Sequence, residues 1–157
     1  MAKIKYYEDF ALKERITRIA SSLEMDHVLL DRLRCVRSYG SGSRNVVARC
    51  HALPRIWQTT LGVEAHYTIE VISEVFDGLD SEQQEKTLIH ELMHIPKAFG
   101  GGFRHHDYVC ERNVKELHRK YLENKEKALR LVEGVVEKAR VEGTEMEGKL
   151  VFEWKKY

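Results

Sequence analysis

Apolar positions along the chain switch between helical and strand spacing, and the switches mark out its elements. Leu12, Ile16, Ile19, Ala20 and Leu23 recur every three or four residues, which predicts an amphipathic helix over roughly 8–23. Residues 28–38 and 45–52 are rich in Val, Leu and Cys, with Gly40-Ser41-Gly42-Ser43 between them. They read as two strands joined by a loop, in the manner of a hairpin. Pro54 opens a short helix carrying Ile56, Trp57 and Leu61, and Gly62 stops it. Tyr67, Ile69 and Val71 alternate with Thr68, Glu70 and Ile72, so 66–74 reads as a strand.

Asp77-Gly78 is then a turn, and Asp80 or Ser81 caps a helix whose buried stripe is Leu88, Leu92 and Ile95. Pro96 lacks a backbone donor and disfavours helical geometry at the residue before it, so this helix ends there. Gly100, Gly101 and Gly102 permit a sharp turn. A long helix follows from near Asp107, with Val109, Val114, Leu117, Tyr121 and Leu122 on its apolar side. It is strongly charged from Glu123 and runs to about Val141. In the tail 142–157, residues 149–154 have the pattern of a short strand. These elements predict a single α+β domain over 1–157.

Composition narrows the function classes. The 26 basic and 25 acidic side chains leave a net charge of +1, which argues against a protein built mainly to grip nucleic acid. Cys35, Cys50 and Cys110 are odd in number and widely spaced, as in reduced intracellular proteins. No stretch approaches the ~20 apolar residues of a membrane span, and the first nine residues lack the apolar core of a signal peptide. The expectation is a cytoplasmic protein with no membrane partner.

The chemistry concentrates at His90-Glu91-Leu92-Met93-His94. On a helix, positions four apart share a face, so His90 and His94 offer two imidazoles to one Zn²⁺. Glu91 is turned by ~100° from His90. It reaches the metal's open position, takes a proton from zinc-bound water and passes it to the leaving amine. The motif lies among Leu88, Ile89, Leu92, Met93 and Ile95, which is too apolar a setting for a solvated face. A catalytic zinc takes a third protein ligand. The metzincin positions for it hold Lys97 and Gly100, so that pattern is broken. Past the glycine turn the candidates are His106, rigidly held at the start of the next helix, and its neighbour His105. Glu111, Glu116 and Cys110 follow. Arg104 and Tyr108 are candidates to face developing negative charge. His51, His66 and His118 read as ordinary histidines, and Cys110 as a buried thiol.

The run His90-Glu91-Leu92-Met93-His94-Ile95-Pro96, then Phe99-Gly100-Gly101 and Arg104-His105-His106, resembles a family of small zincin-like metallopeptidases of phages and archaea. The likeness covers roughly 28–120. It implies a zincin-like fold, in which a small mixed sheet packs against the His-Glu helix and a long C-terminal helix. It also implies zinc and proteolysis of a protein or peptide. Its Arg-x-His element favours His106 as third ligand. By the same resemblance, strand 67–74 is the edge along which an extended peptide lies. The competing function is a non-catalytic zinc-stabilised module that binds a protein partner, using a closed sphere of His90, His94, His106 and Cys110.

Overall fold

The computed structural model describes residues 3–154, with side chains described for 3–143. The chain divides into two compact units, Met1–Tyr121 and Leu122–Tyr157.

In the first unit, strand β1 (Lys5–Glu8) leads into helix α1 (Phe10–Ser22). Asp9 caps α1, its carboxylate accepting from the Leu12 N–H at 2.8 Å. A single 3₁₀ turn (Leu30–Arg32) precedes β2 (Leu33–Tyr39), then β3 (Ala48–Ala52), α2 (Arg55–Leu61) and β4 (Tyr67–Ile72). One helical turn, α3 (Ser73–Phe76), leads to α4 (Ser81–Met93), and α5 begins at Glu111. α2 ends as its sequence requires, with Gly62 in the left-handed region at φ +64°.

The four strands form one mixed sheet in the order β1-β2-β4-β3. β4 runs parallel to β2 and antiparallel to β3, and β1 is antiparallel to β2. Leu33, Cys35, Tyr67, Ile69 and Val71 are buried in one core with Leu12, Ile16 and Ile19 of α1 and Leu88, Ile89 and Leu92 of α4. That burial fixes α4 against the sheet. Arg37 ties the assembly at its other end, pairing with the α1 cap Asp9 and, at 2.6 Å, with Asp77 after α3.

The α+β class and the order of the main elements agree with the sequence, but several expectations are corrected. β2 and β3 are not a hairpin: β4 lies between them, and the Gly-Ser segment carries the chain past it. β4 is therefore interior, and the free edge beside α4 is β3. β1 went unrecognised because all four of its residues are exposed and no buried face marks them. The last helix begins at Glu111, four residues later than expected, because 106–110 form turns. In the second unit the helix runs on through Trp154, so residues 149–154 are helical. Charges there pair along the helix, as Arg130 does with Glu126 at 2.6 Å.

Candidate metal centre and active site

Asp80 caps α4 by accepting from the Gln83 N–H at 2.8 Å, which sets the rotation of the helix from its first turn. Leu88, Ile89 and Leu92 face the core, and His90 and His94 emerge beside each other, with Nε2 atoms 3.2 Å apart. α4 ends at Met93 and Pro96 follows two residues after His94. The chain turns through Phe99, at φ +45°, and Gly101, at φ +96°, and returns along α4. Arg104 closes this return twice, its N–H donating to the His94 carbonyl and its carbonyl accepting from His94 Nδ1, both at 2.8 Å. His106 is thereby brought to the motif, its ring centroid 5.0 Å from that of His94 and 5.7 Å from that of His90.

One nitrogen from each of His90, His94 and His106 lies within 4.8 Å of the others. Tetrahedral ligands at ~2.1 Å stand about 3.4 Å apart, so small side-chain rotations bring all three onto one ion. The protonation of the rings suits this. A carbonyl can only accept, so the contact to Arg104 places a proton on Nδ1 of His94 and turns Nε2 towards the other histidines. His106 makes the same kind of contact, Nδ1 to the Val109 carbonyl at 3.3 Å. Burial and the neighbouring His94 and His106 push His90 down to about 4, so its ring is neutral at pH 7. Three imidazoles gathered without a carboxylate among them are a donor set that fits a borderline metal ion.

Of the other sequence candidates, Cys110, Glu111, Glu116 and His105 do not join the cluster among the described residues. Glu111 is exposed and paired with Lys115 at 2.6 Å. His105 lines a neighbouring cavity. His51 contacts the buried Glu70 at 2.7 Å and His118 the buried Glu85 at 2.8 Å, and neither joins the three-histidine cluster.

Glu91 is 7% exposed and its carboxylate accepts from the Cys50 N–H. Leu53 N–H donates to His66 and Ile72 N–H to Val47, so the alternation of an antiparallel pair leaves the main chain of Ala48, Cys50 and Ala52 facing the free edge of β3. Glu91 thus stands between the histidine cluster and that edge. Burial outweighs the Cys50 hydrogen bond and raises its carboxyl to about 7, against an ordinary 4.5. Two cavities open here, one on each side. The larger, of about 810 Å³, runs past Asn45, Ala48, Thr87 and Val114, and the smaller, of about 280 Å³, past Cys50, Phe103 and Arg104. Glu91, His94 and His106 border both.

The Glu91 shift has a consequence for the metal-free chain. Between about pH 4.5 and 7 the folded chain holds a proton here that the unfolded chain has released, so stability falls as pH rises through that window. At about 1.36 kcal/mol per unit the loss is of order 3 kcal/mol. Depression of His90 acts oppositely, adding stability as pH rises from about 4 to 6.5. Comparison with Glu91→Gln isolates the first effect: melting curves of the two metal-free proteins should diverge with rising pH in favour of the variant. Parallel curves would contradict the burial argument.

Tyr67 is a contributor the sequence did not single out. Its buried hydroxyl donates to the Gly102 carbonyl at 2.7 Å and accepts from the Gly101 N–H at 2.9 Å. Its ring packs edge-on against Phe99, centroids 4.7 Å apart. It therefore holds the turn that delivers Arg104 and His106. A strand tyrosine on an apolar face gives no sign in sequence of so distant a partner. Tyr67→Phe leaves both loop groups short of a partner and should cost ~1–3 kcal/mol, with weaker metal retention. Unfolding and zinc competition titrations check both. Gly101 is constrained independently, since an added Cβ would meet Gln58 Nε2 at 2.6 Å and the Leu53 carbonyl at 3.3 Å.

Residues 4–140 match the sequence profile of a family described as "putative phage metallopeptidase". The chain belongs to this family. No curated protein and no solved structure matches it. Membership of the phage metallopeptidase family agrees with the resemblance read from the His-Glu motif and the Arg-x-His element, and it implies a metal cofactor and a protein or peptide substrate. No helix among the described residues is long and apolar enough to cross a membrane.

Proposed function

We propose that the chain is a zinc-dependent endopeptidase in which His90, His94 and His106 hold the ion and Glu91 is the general base. The observation that carries this is the convergence of three imidazoles beside a buried carboxyl, where two cavities share their lining. Zinc with three protein ligands and an open position supplies Lewis acidity, polarising a carbonyl and lowering the pKa of a water to ~7.

The protein's own groups do the rest. The carbonyls of Arg104 and Val109 hold Nδ1 of His94 and of His106 and fix the rings. Glu91 takes the proton of the attacking water on its carboxylate and delivers it to the leaving nitrogen. A carboxyl held beside the cluster can serve both halves of that transfer. The outward-facing main-chain groups of Ala48 and Ala52 and the Cys50 carbonyl pair with an extended peptide, which β4, bonded on both sides, cannot do. Main-chain pairing asks little of side chains and supports broad sequence tolerance.

A non-catalytic zinc module would close its coordination sphere with a fourth protein ligand, and among the described residues none joins the three histidines. It would also have no use for a buried carboxyl at the cluster. The proposal expects hydrolysis of an unfolded protein such as casein by the zinc-loaded chain. A chelator should abolish the activity and added zinc restore it. Cleavage indifferent to the chelator would exclude a metal-dependent mechanism.

A further inference from the structure

The smaller cavity is set apart by its charge. Beside Cys50 it is walled by Phe103, Arg104 and His105, and no carboxylate other than Glu91 borders it. Four arginines of the first unit have carboxylate partners, Arg32 with Glu64, Arg34 with Glu8, Arg37 with Asp9 and Asp77, and Arg49 with Glu70, and what sets Arg104 apart from the rest is its place in the wall of this cavity. Arg104 forms no ion pair among the described residues. Its guanidinium instead lies over the Tyr108 ring, 3.2 Å from the centroid. Tyr108 is held in turn by its N–H, which donates to the His105 carbonyl at 3.1 Å. The main chain of Arg104 is fixed by its two hydrogen bonds to His94. Both ends of the side chain are thus anchored in register with the histidine cluster, and stacking leaves the edge of the guanidinium available to accept a ligand.

The surroundings reinforce the sign. His27 is depressed by burial first, against a hydrogen bond to the Ile95 main chain that raises it, and further by the charges of Arg104 and Lys97, with Asp26 acting the other way. A cavity of about 280 Å³ has room for one side chain, below the ~300–1,000 Å³ of drug-sized sites. Because Glu91, His94 and His106 border both cavities, a peptide lying along β3 past the cluster places one residue here.

Resting on the metallopeptidase reading above, we propose that this cavity is a carboxylate subsite, with Arg104 as its specificity-determining residue. The chain then cleaves preferentially next to a residue bearing a carboxylate. Two sources offer that group, an Asp or Glu side chain and the free C-terminus of a peptide. A planar guanidinium binds either through two parallel hydrogen bonds. Arg104 as a general stabiliser of negative charge in the transition state would instead affect all substrates alike.

The test begins with a proteome-derived peptide library digested by the zinc-loaded chain and read by mass spectrometry. Acidic residues or C-termini should be enriched at one position flanking the cut. Synthetic peptides amidated only at the C-terminus lose the preference if the C-terminus is the source and keep it if side chains are. Peptides from this set, each paired with its Glu→Gln or amidated counterpart, are then titrated into zinc-loaded Glu91→Gln, which reads binding without turnover. The carboxylate form should bind ~10-fold or more tightly. In the Arg104→Gln background that ratio should collapse towards one, and in Arg104→Lys it should be partly kept. Zinc content is measured on each variant, and the preference of the unsubstituted chain stands as a test even if a variant misfolds. Zinc-dependent cleavage with no carboxylate preference, or a ratio unmoved by Arg104→Gln, overturns the subsite alone. Absence of any zinc-dependent cleavage or peptide binding overturns the peptidase reading with it.

Discussion

Glu91→Gln should keep its zinc and its fold while losing ~10²–10⁴-fold in turnover, the usual contribution of a positioned general base. The substitution preserves size and leaves an oxygen to accept from the Cys50 N–H, so the edge strand keeps its contact with α4. It removes only the capacity to take up a proton. Glu91 is not among the three converging imidazoles, so the metal should stay. In the metal-free chain stability at neutral pH should rise by up to about 3 kcal/mol, because burial disfavours ionisation of a carboxyl raised to about 7 and an amide carries no such cost. Turnover and zinc content measured side by side decide the matter. Equal loss of both would mean that Glu91 holds the metal, and undiminished cleavage would mean that another group is the base.

His106→Ala should strip the zinc that His105→Ala retains. His106 contributes a nitrogen to the cluster and is held by the Val109 carbonyl, while His105 lines only the smaller cavity. Loss of a hydrogen-bond partner behind a ligand typically costs ~10–100-fold in metal affinity, so removal of the ligand itself should cost more. Competition with a fluorescent chelator measures it. The opposite ranking would move the centre to His105, and retention by both would return attention to Cys110, Glu111 and Glu116.

How much of this was legible in the sequence follows from the range of the interactions. α4 and its motif were readable because an Asp cap, an apolar stripe and Pro96 are local signals, and so was the interval to His106. α1 and α2 were readable for the same reason, through the stripe Leu12-Ile16-Ile19 and the Pro54 and Gly62 boundaries. Strand order was not, since pairing is set by contacts remote in sequence. Residues 28–38 and 45–52 look like a hairpin until β4 is seen between them, bonded to both. The resemblance likewise pointed to strand 67–74 as an edge, and β4 is interior. Tyr67 was missed for the same reason, its hydroxyl meeting main-chain groups 34 and 35 residues away. The placement of Arg104 in the wall of the smaller cavity, over the Tyr108 ring, also needs the fold. Residues 149–154 alternate like a strand, yet helix continues through them to Trp154.

The central claim is that three histidines on α4 and the returning loop hold a metal whose open side faces Glu91. A crystal structure of the zinc-loaded chain, with anomalous data collected at the zinc edge, tests it most directly. One peak should appear within ~2.0–2.1 Å of nitrogens of His90, His94 and His106. Its fourth position should open towards Glu91 and the free edge of β3. A peak completed by a fourth protein ligand, or one that omits any of these histidines, would contradict the account.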